Sequence, residues 1–512
     1  MRPEHPRGLS NILIVGGGSA GWMTAAALSH ALGPDCAITL IESKAIGTVG
    51  VGEATIPPIR RFNASIGIGE KDFVEETQGT FKLGIEFINW ARKGERYFHP
   101  FGTFGADFDR VPLHHYWLQA RADGDDTPFE DYCLAWAMAR QGRFSVPSQD
   151  RRQVQSTFDY AYHFDATLYA AFLRRLSEKR GVQRLEARVV DVQHDIESGD
   201  LTGVTLDDGR TVEADFFIDC SGFRGLLIEG ALGAGYEDWS QWLPCNRAVA
   251  VPCEKVADPI PYTKATAHTA GWQWRIPLQH RTGNGHVHCD AYTSEDEATQ
   301  ILLDTLDAPA TADPRTLHFK TGRRRAFWKK NCLAIGLAAG FMEPLESTSL
   351  HLVQTAITRF LALFPGRGDT SLLAAEFNRI TTLEYERIRD FLILHYKATA
   401  RDDTPFWRYC ANMNVPDDLA YRMRLFEETG TLYSNELELF QNASWLAVLL
   451  GQDIIPQRYA ALAHHRPQVQ APDKLKGLRR VIQEASAAMP SHAAFIAQHC
   501  TAPNPAEPLV AA

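Results

Sequence analysis

One glycine cluster constrains this chain more than any other feature. Asn11–Val15 reads as a short, wholly apolar strand, Gly16-x-Gly18-x-x-Gly21 follows it, and residues 22–32 read as a helix with alanine on its packing face. Residues 37–41 form a second apolar run that ends at Glu42. This is a βαβ opening of the dinucleotide-binding kind. Gly16 permits the tight turn, Gly18 lets backbone approach a pyrophosphate, and Gly21 lets the helix pack close on the strand. The helix start offers free amides and a positive dipole to an anion. Glu42 lies 21 residues beyond Gly21, where a carboxylate can accept hydrogen bonds from ribose hydroxyls.

The rest of the chain shows what surrounds this opening. At 512 residues it is long enough for two or three modules around a large core. With 45% hydrophobic and 22% charged residues it is an ordinary globular sequence. A net charge of −10 argues against nucleic acid or an anionic membrane as the main partner. No apolar run has signal-peptide or transmembrane length. The nine cysteines are scattered without a CxxC pair, which fits a reducing cytoplasm and neither a zinc site nor a disulfide scaffold. The pairs His114-His115 and His464-His465 lack metal-ligand spacing, so no metal is expected.

A Gly- and Pro-rich loop spans 47–58. Residues 162–176 read as an amphipathic helix, 187–192 as a strand, and 201–209 as a hairpin turning at Asp207-Asp208-Gly209. Apolar strands at 214–219 and 332–335 each run into glycine-bearing turns. Strand patterns recur at 248–251 and Gly271–Pro277, a helix is expected at 349–363, and the chain is mainly helical after about residue 370. Dinucleotide-type segments near 11–42, Asp219 and Gly336 imply a discontinuous binding module with a substrate module threaded between its pieces.

Gly271-Trp272-Gln273-Trp274-Arg275-Ile276-Pro277 contains a WxWxIP motif. With the glycine loop, Val49-Gly50-Val51-Gly52-Glu53-Ala54-Thr55-Ile56-Pro57, Phe81-Lys82-Leu83-Gly84 and Pro344-Leu345-Glu346-Ser347-Thr348-Ser349, it resembles the flavin-dependent tryptophan halogenases over about the first 365 residues. The resemblance implies an α/β fold like that of p-hydroxybenzoate hydroxylase. Its expected parts are a flexible stretch at 1–10, an FAD-binding module within 11–365 (pieces 11–60, 200–230 and 320–365) with interleaved β-rich substrate segments, and a helical module at 366–505 that caps the substrate site. It implies FAD, delivered reduced (as FADH2) by a separate NAD(P)H-dependent flavin reductase. With O2 and chloride or bromide this gives hypohalous acid, which travels to an aromatic substrate held elsewhere. Dimers occur in the resembled family, so a homodimer is one assembly it allows.

The site residues follow from the same resemblance. FAD contacts are expected from Gly16, Gly18, Ser19, Ala20, Gly21, Glu42, Ala54, Thr55, Ile56, Gly336 and Leu345. Trp272 and Trp274, two residues apart on one strand face, would wall the flavin and the tunnel; as plain residues they read equally as core tryptophans. Lys82 alone would be a solvated surface lysine; the resemblance makes it the group at the tunnel end that hydrogen-bonds hypohalous acid or carries the halogen. Glu346 alone would be a helix-start charge, with Ser347 to Ser349 as caps. The resemblance makes it a catalytic carboxylate, and Thr348 and Ser349 a halide site. His99, Phe101 and Trp445 are the expected aromatic contacts to substrate.

Two alternatives stand beside the halogenase. A single-component FAD-dependent aromatic hydroxylase would share the scaffold, and so would a non-catalytic flavin-fold protein; the WxWxIP segment, Lys82 and Glu346 favour the halogenase. The segment 432–445 carries a single tyrosine, Tyr433, and lacks the paired tyrosines with which tryptophan halogenases hold the amino acid's charges. Glu436 and Glu438 read equally as ammonium contacts and as exposed helix charges. The expectation is therefore an indole or substituted indole without the amino-acid backbone, with a larger indole-bearing or carrier-bound substrate as the alternative.

Overall fold

A computed structural model describes residues 8–43, 52–108, 110–435, 438–465 and 469–503. The lead-in through residue 7, Val49 to Val51 of the Gly-Pro loop, Glu436 and the tail from residue 504 lie outside these residues.

Asn11–Val15 pairs in parallel with Ala37–Glu42 on one side and Phe216–Asp219 on the other, so that Ile14 faces both Leu40 and Ile218 in register. Leu13, Ile14, Phe217 and Ile218 are fully buried, as a parallel sheet covered on both faces requires. Cys332–Ala334 and Gln183–Glu186 extend the sheet in parallel, and Trp328–Lys329 closes one edge antiparallel. The helix Ser19–Leu32 packs between this sheet and the helices Ala166–Lys179 and Ser349–Ala362.

A second sheet has seven strands, with Gly271–Pro277 between Arg281–His288 and Thr263–Ala267. Gly84–Ile88 and Arg96–Pro100 continue it on one side. It carries Trp272, Trp274 and His99. A small third sheet places Ala161–Asp165 between Gly52–Ala54 and Thr80–Lys82, with Lys82 opposite Ala161. Beyond residue 370 the described chain is helical. The 27-residue helix Ser371–Lys397 is apolar and fully buried around Phe391 to Tyr396.

Some local expectations need correction. The helix expected from residue 162 begins at Ala166, because Ala161–Asp165 is a buried strand. Its alternating Tyr162 and Phe164 pack on Phe73. Asp165 ends the strand by accepting from the Thr167 and Leu168 amides, which is an N-cap. The strand expected at 187–192 runs instead over Val189–His194, and the first helix starts at Ser19. His114 and His115 are buried: His114 Nε2 bonds the Gly430 carbonyl and His115 Nδ1 accepts from the Ala460 amide.

Candidate active site

The glycine loop is shaped by contacts a side chain would break. Gly16 adopts φ +118° and a Cβ there would overlap the Cys220 carbonyl. A Cβ on Gly21 would overlap the Gly16 carbonyl, and one on Gly17 the Glu42 carboxylate. Gly18 differs: a Cβ there meets no protein atom within 4 Å. It faces a cavity of about 690 Å³ that is also lined by Gly16, Ser19, Ala20, Glu42, Ala54, Gly336 and Leu345. Gly21 does not line it but sets the packing behind it. Thr55 and Ile56 are buried and lie outside the lining. The Glu42 carboxylate is oriented by an ion pair with Arg184 and by the Trp22 indole N–H at 3.2 Å. A backbone turn open at Gly18, a helix N-terminus and a fixed carboxylate together fit the pyrophosphate and ribose of FAD.

Trp272 and Trp274 both line this cavity, with ring centroids 6.2 Å apart. Trp274 lies flat across the neighbouring strand because its partner there is Gly285, whose Cβ would overlap the indole. The Trp272 indole N–H donates to Glu343 Oε2 at 2.6 Å, and the Tyr396 hydroxyl donates to the same oxygen at 2.6 Å. Burial pushes the Glu343 carboxyl up to about 7.

Lys82 is fully buried, contrary to what the residue alone suggests. Its Nζ donates to the Thr55 carbonyl at 3.1 Å and to Ser347 Oγ at 2.8 Å, and lies 5.0 Å from the centre of the Phe101 ring. Burial pulls the ammonium down to about 7, against a smaller upward pull from Glu346. Ser347, held at φ +59°, also lines the glycine-loop cavity. One side chain thus touches both the cavity and the buried amine.

Glu346 is fully buried too. His99 Nδ1 lies 2.8 Å from Oε2, and His395 Nε2 lies 2.8 Å from Oε1. Burial pushes the carboxyl up, but the two histidines outweigh it and hold it at about 2. Around this group Phe391 stacks on Phe440 at 3.9 Å, Trp445 meets Phe391 edge-on, and His99 packs against Phe391 and Phe440. Glu438 is bound in a two-pronged pair with Arg422 at 2.9 and 3.0 Å, and the same guanidinium lies over Trp445.

The segment after Glu346 starts the helix Ser349–Ala362. Thr348 sits at its N-cap position without a capping side-chain bond, so the capping role expected for these hydroxyls is not realised. Thr348 Oγ1 and Ser349 Oγ are buried without a protein partner. Two unpartnered hydroxyls at a helix N-terminus suit an anion.

Comparison with known proteins agrees with this geometry. Residues 11–468 match the model of the tryptophan halogenase family. The chain belongs to that family. This halogenase is 35% identical to the tryptophan 6-halogenase ThaL of Streptomyces albogriseolus, over 90% of this chain and 92% of that one. A flavin-dependent halogenase from Xanthomonas campestris has the same fold, with 47% identity and TM-score 0.94 over 98% of this chain and 100% of that one. BrvH, a flavin-dependent halogenase from Brevundimonas sp. BAL3, has 44% identity and TM-score 0.92 over 96% and 99% of the two chains. The halogenase therefore has a flavin-binding α/β fold and is an enzyme.

Arg184 and His395 escape a reading of the sequence alone, whereas Ser347 reads there as a helix cap and Glu343 as part of an acidic loop brought to the flavin. Glu343 and Ser347 flank Glu346 within one motif, which was the available signal. Arg184 and His395 sit in unremarkable strand and helix patterns.

Proposed function

We propose that this chain halogenates an electron-rich aromatic ring, an indole or a substituted indole without free amino-acid charges, at a site apart from the flavin. One observation carries the reading: Lys82 and Glu346 lie buried beyond the glycine-loop cavity and are linked to it through Ser347. Bound at the cavity, FAD delivered reduced by a separate NAD(P)H-dependent reductase would give two electrons to O2, whose remaining two oxidising equivalents would convert chloride or bromide to hypohalous acid, with water as the other product. Gly16 to Gly21 and Glu42 hold the pyrophosphate and ribose, Trp272 and Trp274 deny the substrate a place beside the flavin, and Thr348 and Ser349 hold the halide.

Lys82 receives the electrophile. An amine shifted to about 7 is present both as an ammonium that donates a hydrogen bond to the leaving hydroxyl and as a free base that can accept halogen. Glu346 stays ionised at neutral pH and stabilises the cationic ring formed as halogen adds. Its two histidines keep the carboxylate in place. His99, Phe101 and Trp445 provide aromatic surface for a planar substrate.

The substrate class rests on charge. A zwitterion moved into an apolar chamber needs partners for both charges. Glu438, an expected ammonium contact, is already committed to Arg422, and Glu436 lies outside the described residues. The test compares kcat/KM for indole and free tryptophan with one reductase and bromide, reading products by mass. Bromoindole formed in preference to bromotryptophan supports the reading. A clear preference for tryptophan sinks the substrate class, and an oxygenated ring without bromine returns the hydroxylase.

A further inference from the structure

Phe81 precedes Lys82 on the strand Thr80–Lys82 and spends its backbone N–H outside the sheet. The acceptor is His492 Nε2, 3.1 Å away and 411 residues along the chain. His492 is the first residue of the helix His492–His499 and is almost wholly buried. Its Nδ1 donates to the Pro259 carbonyl at 2.7 Å. That bond fixes the tautomer, leaving Nε2 free to accept. Burial lowers the imidazole to about 4, so it stays neutral and keeps this acceptor at neutral pH.

The same loop holds the other side of Lys82. The Leu83 amide donates to the Pro261 carbonyl at 2.7 Å. Lys82 is therefore bracketed: Phe81 is held by His492, which is held by Pro259, and Leu83 is held by Pro261. The Phe81 ring stacks on Phe144 at 4.3 Å and meets Phe495, from the same C-terminal helix, at 5.3 Å. Gln279 adds a further tie, donating to the Gly79 and Cys500 carbonyls and accepting from the Ala502 amide.

A buried amide needs an acceptor, and at this strand edge the imidazole takes the place of a neighbouring strand. We propose that His492 is a positioning residue for Lys82, through which the C-terminal helix sets where the amine sits relative to Ser347 and Glu346. This rests on the reading of Lys82 as the group that receives the electrophile. A long side chain acting at hydrogen-bond range tolerates little backbone displacement: about 1 Å of misplacement costs roughly 10²-fold in rate.

The test uses the full chain with reductase, bromide and indole, and reads brominated product per flavin oxidised. His492→Phe keeps a packed ring but removes both nitrogens; His492→Gln keeps an acceptor. We expect the Phe variant to oxidise reduced flavin at the wild-type rate but to lose on the order of 10²-fold in product, and the Gln variant to recover most of it. A Phe variant as well coupled as wild type overturns the proposal, and so does a Gln variant as poor as the Phe variant at equal melting temperature. If His492→Phe does not fold, Phe495→Ala loosens the same helix from the Phe81 ring. Coupling lost in that variant supports the proposal, and coupling unchanged overturns it. A wild-type enzyme that forms no brominated product overturns the reading of Lys82 itself, whichever way the variants compare.

Discussion

Lys82 Nζ lies 2.8 Å from Ser347 Oγ, and Ser347 forms part of the wall of the cavity bounded by the glycine loop. The buried amine and the cavity whose lining suits a flavin are thus one side chain apart. Under the function proposed above, that spacing would separate generation of the electrophile from its use.

The glycine loop makes two opposite predictions. Gly18→Val should fold normally, since a Cβ there meets no protein atom, but should bind FAD far more weakly. Gly16→Ala should be destabilised by about 1–3 kcal/mol, since φ +118° and the Cys220 carbonyl both oppose a side chain. Melting curves and FAD titration check both. Normal FAD affinity in Gly18→Val contradicts the cavity assignment.

How much of this was legible in the sequence depends on whether a residue's role is local. Gly16, Gly21 and Glu42 act within one βαβ unit, so spacing alone places them. Trp272 and Trp274 share a strand face by simple alternation. Lys82 is different: nothing local distinguishes a buried lysine from a solvated one, and only the motif around it pointed inward. His395 and Arg184 act across the fold on Glu346 and Glu42, and such long-range pairs leave no periodic trace. The helix expected at 162 failed for a related reason, because the strand preference of Ala161–Asp165 is set by partners in two distant strands.

Burial of Lys82 has a cost that depends on pH. Its folded value lies near 7 against an ordinary value of 10.5. The unfolded chain therefore binds more protons than the folded one between about pH 7 and 10, and stability from this group rises with pH across that window. Lys82→Met should be more stable than wild type at pH 7, by on the order of a few kcal/mol less what the lost hydrogen bonds contribute. The gain should shrink toward pH 9.5. Denaturant melts at the two pH values check it, and a gain that grows with pH contradicts it.

Glu346→Gln should lower the halogenation rate by roughly 10²–10⁴-fold while leaving FAD affinity unchanged. The carboxylate is held at about 2, so its own titration should leave no step in the wild-type rate between pH 5 and 8. Single-turnover bromination across that range measures both. Unchanged turnover in the variant would leave the His99–Glu346–His395 cluster with a packing role alone.

Glu343→Ala removes the acceptor shared by Trp272 and Tyr396 and strands two buried donors. A loss of roughly 1–3 kcal/mol for each stranded group is expected. Glu343→Gln, which keeps one oxygen, should lose less. Thermal melts rank the three proteins, and Glu343→Ala as stable as wild type would contradict the network.

In the proposed reaction the halogen reaches substrate by way of Lys82. The direct measurement is brominated product per O2 consumed in Lys82→Met, with reductase, bromide and indole, beside wild type. O2 and reduced flavin should still be consumed while no brominated ring appears. Bromination at the wild-type rate would contradict this route.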